Sequence, residues 1–123
     1  MTQLAAIGIV TRDTSESARF YRTLGLDVPE PTAGEEHFEV TLPNGLRLMW
    51  DSVELMQKLD PEREEPRGHR MGLAFECDVD AVHARLAEAG FESKSEPWDA
   101  FWGQRYAQVI DPDGNVVDLF RPL

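Results

Sequence analysis

Late in the chain the sequence reads Asp111-Pro112-Asp113-Gly114-Asn115-Val116-Val117-Asp118-Leu119-Phe120. Pro-Asp-Gly is tight-turn chemistry, and the β-branched and aromatic run behind it is strand chemistry. An earlier stretch, Leu42-Pro43-Asn44-Gly45, leads into Leu46 to Trp50 in the same way. Each turn is preceded by a strand-like segment: Phe38, Val40 and Leu42 alternate with His37, Glu39 and Thr41, and Gln104 to Ile110 takes the corresponding place later on. Each turn therefore marks the tip of a hairpin.

Working outward, the first half begins with an apolar strand from Leu4 to Thr11. The capping residues Asp13-Thr14-Ser15-Glu16 follow, then a helix with Ala18, Tyr21 and Leu24 on one face, stopped by Gly25. The second half repeats this order: a strand from Arg70 to Glu76, a cap at Asp78-Val79-Asp80, and a helix with Val82, Leu86 and Ala89 inward, stopped by Gly90. Asp13 to Gly25 and Asp78 to Gly90 both span twelve steps. Leu26 to Glu36, with Pro29, Pro31 and Gly34, reads as a loop holding at most a short edge strand. The segment around Pro97, Trp98 and Trp102 reads as an irregular loop. Residues 51–68 open with an amphipathic turn (Val53, Leu55, Met56, Leu59) and end in a charged, proline-bounded linker. The chain thus divides into a first module over about 1–58, a linker over about 59–68 and a second module over about 69–123. Modules of about 60 residues are small for independent folding, so one domain of class α+β is expected.

Composition narrows the function. With Lys+Arg 12 against Asp+Glu 23, the net charge is 12 − 23 = −11, which repels nucleic-acid phosphates and anionic lipid headgroups. Neither nucleic acid nor a membrane is an expected partner. The apolar stretch from Leu4 to Val10 is far too short to span a bilayer. A single cysteine, Cys77, leaves no intrachain disulfide and no Cys-x-x-Cys site, and fits a reducing cytoplasm.

Taken together, Val10-Thr11-Arg12-Asp13, the helix Ala18-Arg19-Phe20-Tyr21-Arg22-Thr23-Leu24-Gly25-Leu26, the second start Gly72-Leu73-Ala74-Phe75 and the terminal stretch from Asp111 to Phe120 resemble the vicinal oxygen chelate superfamily. That superfamily includes glyoxalase I, bleomycin-resistance proteins and extradiol dioxygenases. The resemblance implies tandem βαβββ modules forming a cup-shaped half-barrel, the glyoxalase/bleomycin resistance fold, with helices on the convex side. It also implies a homodimer with ligand pockets in the concave faces.

The metal enzymes of that superfamily place one ligand at each of four strand positions. By the resemblance these fall here on Ala6, on Met49 (or Leu48 if the register slips by one), on Gly72 and on Asp118. Only Asp118 offers a hard donor, whereas a tight open site needs about three protein ligands. His37, His69 and His83 show no ligand-pair spacing, although His37 begins a strand and could reach a pocket rim. No metal and no cofactor are expected. Small residues at Ala6, Gly8, Gly72 and Ala74 leave room for a flat ligand, and Phe38, Trp50, Trp98, Phe101, Trp102, Tyr106 and Phe120 offer stacking walls, Trp50 being the one that alternation in its strand turns toward the core. Gln104 and Arg105 are candidate hydrogen-bond donors. Arg47 shares the face of Met49 and needs a partner such as Asp118, Asp51 or a ligand carboxylate. The expected ligand-binding set is Phe38, Arg47, Met49, Trp98, Trp102, Gln104, Tyr106 and Asp118.

These residues favour metal-free binding and sequestration of a hydrophobic or aromatic small molecule, such as an antibiotic or other natural product, in a resistance-type role. The alternative is a lyase, isomerase or dioxygenase of the superfamily, with relocated metal ligands or with Asp118 as an acid/base group.

Overall fold

A computed structural model of the chain describes residues 3–30, 34–65 and 72–123. Two compact units appear, one comprising Met1–Arg22 and Leu26–Glu65, the other Thr23–Gly25 and Pro66–Leu123. The class is α+β, with two separate sheets.

In the first unit, β1 (Ala6–Thr11) leads to α1 (Thr14–Leu24), which the Asp13 carboxylate caps by accepting the Glu16 amide at 3.0 Å. Strands β2 (His37–Thr41) and β3 (Arg47–Ser52) form the expected hairpin. β3 lies in the middle of a three-stranded sheet, parallel to β1 and antiparallel to β2. Period-two alternation sends Phe38, Val40, Leu48 and Trp50 into the core, where Phe38 stacks on Trp50 with centroids 4.7 Å apart. Tyr21, from the buried stripe of α1, meets Trp50 at 4.8 Å. Ser52 then caps a short α2 (Val53–Leu59), accepting the Leu55 amide through its hydroxyl.

The second unit repeats the plan with one more strand. β4 (Leu73–Glu76) runs parallel to β7 (Val116–Pro122), followed across the sheet by β6 (Gln104–Ile110) and the edge strand β5 (Glu92–Ala100). Helix α3 (Val79–Glu88), capped by Asp78, buries Val79, Val82 and Leu86. Ala107, Val109, Val117 and Leu119 complete this core. In each unit the first strand pairs in parallel with the last, as a repeated module demands. The hairpin-tip glycines Gly45 and Gly114 have φ of 89° and 86°, a left-handed conformation that glycine adopts without strain.

Two expectations change. The stretch from Pro97 to Ala100 is strand rather than irregular loop, so Trp98 stands on β5 and only residues 101–103 form the turn. Proline is tolerated because β5 is an edge strand with register shifts on either side of Ser95, where no ladder donor is needed. Among the described residues, the first unit also has three strands rather than four. The start of the second strand expected from Arg70, and His69 beside the linker, lie outside the described residues.

Candidate functional site

The face of the second sheet opposite its core is built by strand register. Asp118 pairs with Ala74 and Gln108, Phe120 with Glu76 and Tyr106, and Tyr106 in turn with Trp98. These side chains therefore share one side of the sheet. Above Tyr106, the β5–β6 turn supplies Phe101 and Trp102, whose rings meet edge-on with centroids 5.0 Å apart. Trp102 also meets Trp98 at 5.6 Å and Tyr106 at 5.2 Å, with interplanar angles of 89° and 76°. Edge-to-face contact of this kind is the favoured aromatic geometry and holds the rings in fixed relative positions. The cluster nevertheless remains open: Trp98 is 40% exposed, Trp102 47% and Phe101 92%.

Polar groups lie at its foot. The Trp102 indole N–H donates to Gln104 Oε1 at 2.8 Å, which fixes both side chains. Gln108 Nε2 donates to Asp118 Oδ1 at 3.0 Å. Burial, reinforced by a hydrogen bond to Asp118, pushes the Tyr106 phenol up to about 12. It is thus a neutral donor at physiological pH. Trp98, Trp102, Gln104, Tyr106 and Asp118 come together as one surface. Phe101, one of the aromatic wall candidates, also belongs to it, and so does Gln108, which sequence reasoning did not place in the site. The alternation in β6, which puts Gln104, Tyr106 and Gln108 on one side, is the signal that finds Gln108.

The open face of the first sheet is charged. His37 lies between two carboxylates, with Nδ1 2.5 Å from Asp51 and Nε2 3.0 Å from Glu39. Arg47 Nε donates to Glu39 at 2.8 Å, and its Nη2 approaches Met49 Sδ at 3.4 Å. Arg47 and His37 hold the Glu39 carboxyl down to about 2, while Asp51 and then Glu39 raise the His37 pKa above 6.5. Arg47 and Met49 stand on this face as expected, and Met49 rather than Leu48 is the outward residue of β3. The partner of Arg47 is Glu39 rather than Asp118 or Asp51, because the hairpin register sets these two side chains diagonally across β2 and β3. Phe38 is a further correction. It lies on the other side of β2, 4% exposed and stacked on Trp50, and contributes to the core instead of a ligand surface.

The four strand positions at which the superfamily's enzymes hold a metal do not fit one here. Ala6 and Gly72 have no donor atom, the Met49 thioether lies against a guanidinium, and the Asp118 carboxylate is hydrogen-bonded by Gln108. His83 Nε2 lies 2.7 Å from Ser93 Oγ, and both ring nitrogens of His37 are engaged by carboxylates. Among the described residues, no three His, Cys, Asp or Glu side chains gather as a ligand set.

Comparison with known proteins agrees with this fold. The family model described as the Glyoxalase/Bleomycin resistance protein/Dioxygenase superfamily matches residues 3–119. A glyoxalase-related enzyme from Fulvimarina pelagi superposes with a TM-score of 0.81 at 25% identity, covering 98% of this chain and 88% of that one. A glyoxalase/bleomycin resistance protein/dioxygenase family enzyme from Burkholderia phytofirmans PsJN gives 0.77 at 22% identity, covering 99% and 100%. A glyoxalase/bleomycin resistance protein/dioxygenase from Nocardioides gives 0.74 at 25%, covering 100% and 85%. No curated protein matches the sequence.

Proposed function

The chain belongs to the glyoxalase/bleomycin resistance protein/dioxygenase superfamily, and we propose that within it the protein binds and sequesters a hydrophobic, aromatic small molecule without the help of a metal. The observation that carries this reading is the open aromatic cluster on the second sheet. Indole rings left 40% and 47% exposed contribute little to their own unit's core, yet are held in place by edge-on contacts and by the Trp102–Gln104 hydrogen bond. A planar ligand stacked there gains about 0.5 to 1.5 kcal/mol per ring beyond its area burial. Gln104 offers a directional contact beside the rings, and the glycine and alanine positions of the first strands add no bulk. In this reading the ligand is an antibiotic or other natural product, and the protein acts as a cytoplasmic homodimer.

Sequestration fits the residues better than acid/base chemistry at Asp118, because Gln108 already directs a hydrogen bond to that carboxylate. The test is tryptophan emission during titration with planar aromatic compounds. Trp50 is fully buried and gives a constant background, so quenching should be lost in the Trp98→Ala/Trp102→Ala double variant. Equal binding by wild type and double variant would reject the site. Turnover of a bound compound that disappears in Asp118→Asn would replace sequestration with catalysis.

A further inference from the structure

The charged ladder-paired positions on the aromatic face of the second sheet are all acidic. Its ladder-paired positions are Ala74 and Glu76 on β4, Val116, Asp118, Phe120 and Pro122 on β7, Gln104, Tyr106, Gln108 and Ile110 on β6, and Glu92, Ser95, Trp98 and Ala100 on β5. Three of these are carboxylates and none is basic. The two arginines of the sheet, Arg105 and Arg121, pair with each other in register on the reverse side, where Arg105 bridges Asp80 and Asp99. Lys94 sits in the β5 irregularity between Ser93 and Ser95, without a ladder partner.

Asp118 is half-buried in this face, and among the described residues no lysine, arginine or histidine forms an ion pair with it. Its side-chain hydrogen bond comes from a neutral donor, Gln108. The contrast with the first sheet is instructive, since Glu39 there has Arg47 and His37 as partners. Beside Asp118 stands only the methyl group of Ala74, and the next same-face position along β6 is Tyr106, paired with Trp98 and in edge-on contact with Trp102.

Building on the binding role argued above, we propose that this face takes an organic aromatic cation, with the charge received by Asp118 and the ring faces of Trp102 and Tyr106, and the flat body stacked on Trp98. A quaternary or protonated nitrogen is drawn to the negative face of an aromatic ring, an attraction that strengthens as water is excluded. Asp118 adds a full charge on the same side of the sheet. A bare divalent metal lacks the apolar surface that these rings can cover, and the site lacks the further hard donors such an ion requires. An organic cation satisfies both halves of the surface.

Isothermal titration at pH 7.5 with three probes of similar size tests this: N-methylquinolinium, which is cationic, quinoline, which is neutral at that pH, and the anion naphthalene-2-carboxylate. The proposal expects wild type to bind N-methylquinolinium about tenfold tighter than quinoline, with the carboxylate weakest. In Asp118→Asn the preference for the cation should collapse to within about twofold, and Asp118→Glu should restore part of it, with buried Trp50 emission reporting that each variant is folded. Wild type binding quinoline as tightly as N-methylquinolinium overturns cation recognition while leaving aromatic binding intact, and that comparison needs no variant. If no probe binds wild type, or if the Trp98→Ala/Trp102→Ala variant binds all three unchanged, both cation recognition and the aromatic site fail together.

Discussion

His37 shows how far a single position can be set by its neighbours. Flanked by Asp51 and Glu39, its imidazole is favoured in the charged form, so its pKa lies above the ordinary 6.5. A raised folded-state value contributes stability that is fully present below 6.5 and is lost as pH rises through the folded pKa. We expect the His37 ring signal in an NMR titration to reach its midpoint above 6.5 and to move down in Asp51→Asn. A midpoint unchanged by that substitution would contradict the contact. Tyr106 gives the opposite end of the scale. The unfolded phenol titrates near 10 and the folded one at about 12, so between these values the unfolded chain loses the proton first and stability falls with rising pH. Ultraviolet titration compared with Tyr106→Phe should show the Tyr106 phenol ionising well above 10, and Asp118→Asn should lower that value.

Among the elements, α3 has the clearest energetic logic, with a side-chain cap at one end and three buried residues along one stripe. Removing the cap in Asp78→Ala should cost about 1 kcal/mol. Truncating fully buried Leu86 to alanine should cost about 2 to 5 kcal/mol, read from urea unfolding with an unchanged slope. A loss below about 0.5 kcal/mol for Leu86→Ala would mean that α3 does not pack as described. The period of α3 and the alternation of β2, β3, β6 and β7 were legible because each depends on residues adjacent in sequence. The outward position of Met49 follows from the same alternation. What the sequence left hidden depends on pairing between distant segments. Pro97 reads as a strand breaker until β5 proves to be an edge with register shifts, where a missing N–H costs nothing in the ladder. That pairing is what turns Trp98 from a loop residue into a neighbour of Tyr106. Phe38 departs from its expected place for a related reason. An aromatic side chain suits a ligand wall and a core equally, and only its partner Trp50, on the buried side of the hairpin, decides between them.

For the molecule as a whole, the excess of acidic residues sets the sign of the long-range field. With a net charge of −11, binding of N-methylquinolinium should weaken several-fold between about 0.02 and 0.5 M NaCl, whereas binding of quinoline should change little. Equal salt dependence for both probes would mean that charge plays no part in recognition. If the protein acts as a homodimer, sedimentation equilibrium should return twice the 13.9 kDa chain mass. Among the described residues, no helix is long and apolar enough to cross a membrane. The central claim is that the exposed aromatic cluster of the second sheet is the ligand-binding surface. It is tested most directly by following the three indole N–H signals of a nitrogen-15-labelled sample during titration with N-methylquinolinium. The account predicts that Trp98 and Trp102 shift in a saturable way while Trp50 stays in place. Saturable shifts confined to other residues, or no shift at either exposed indole, would contradict it.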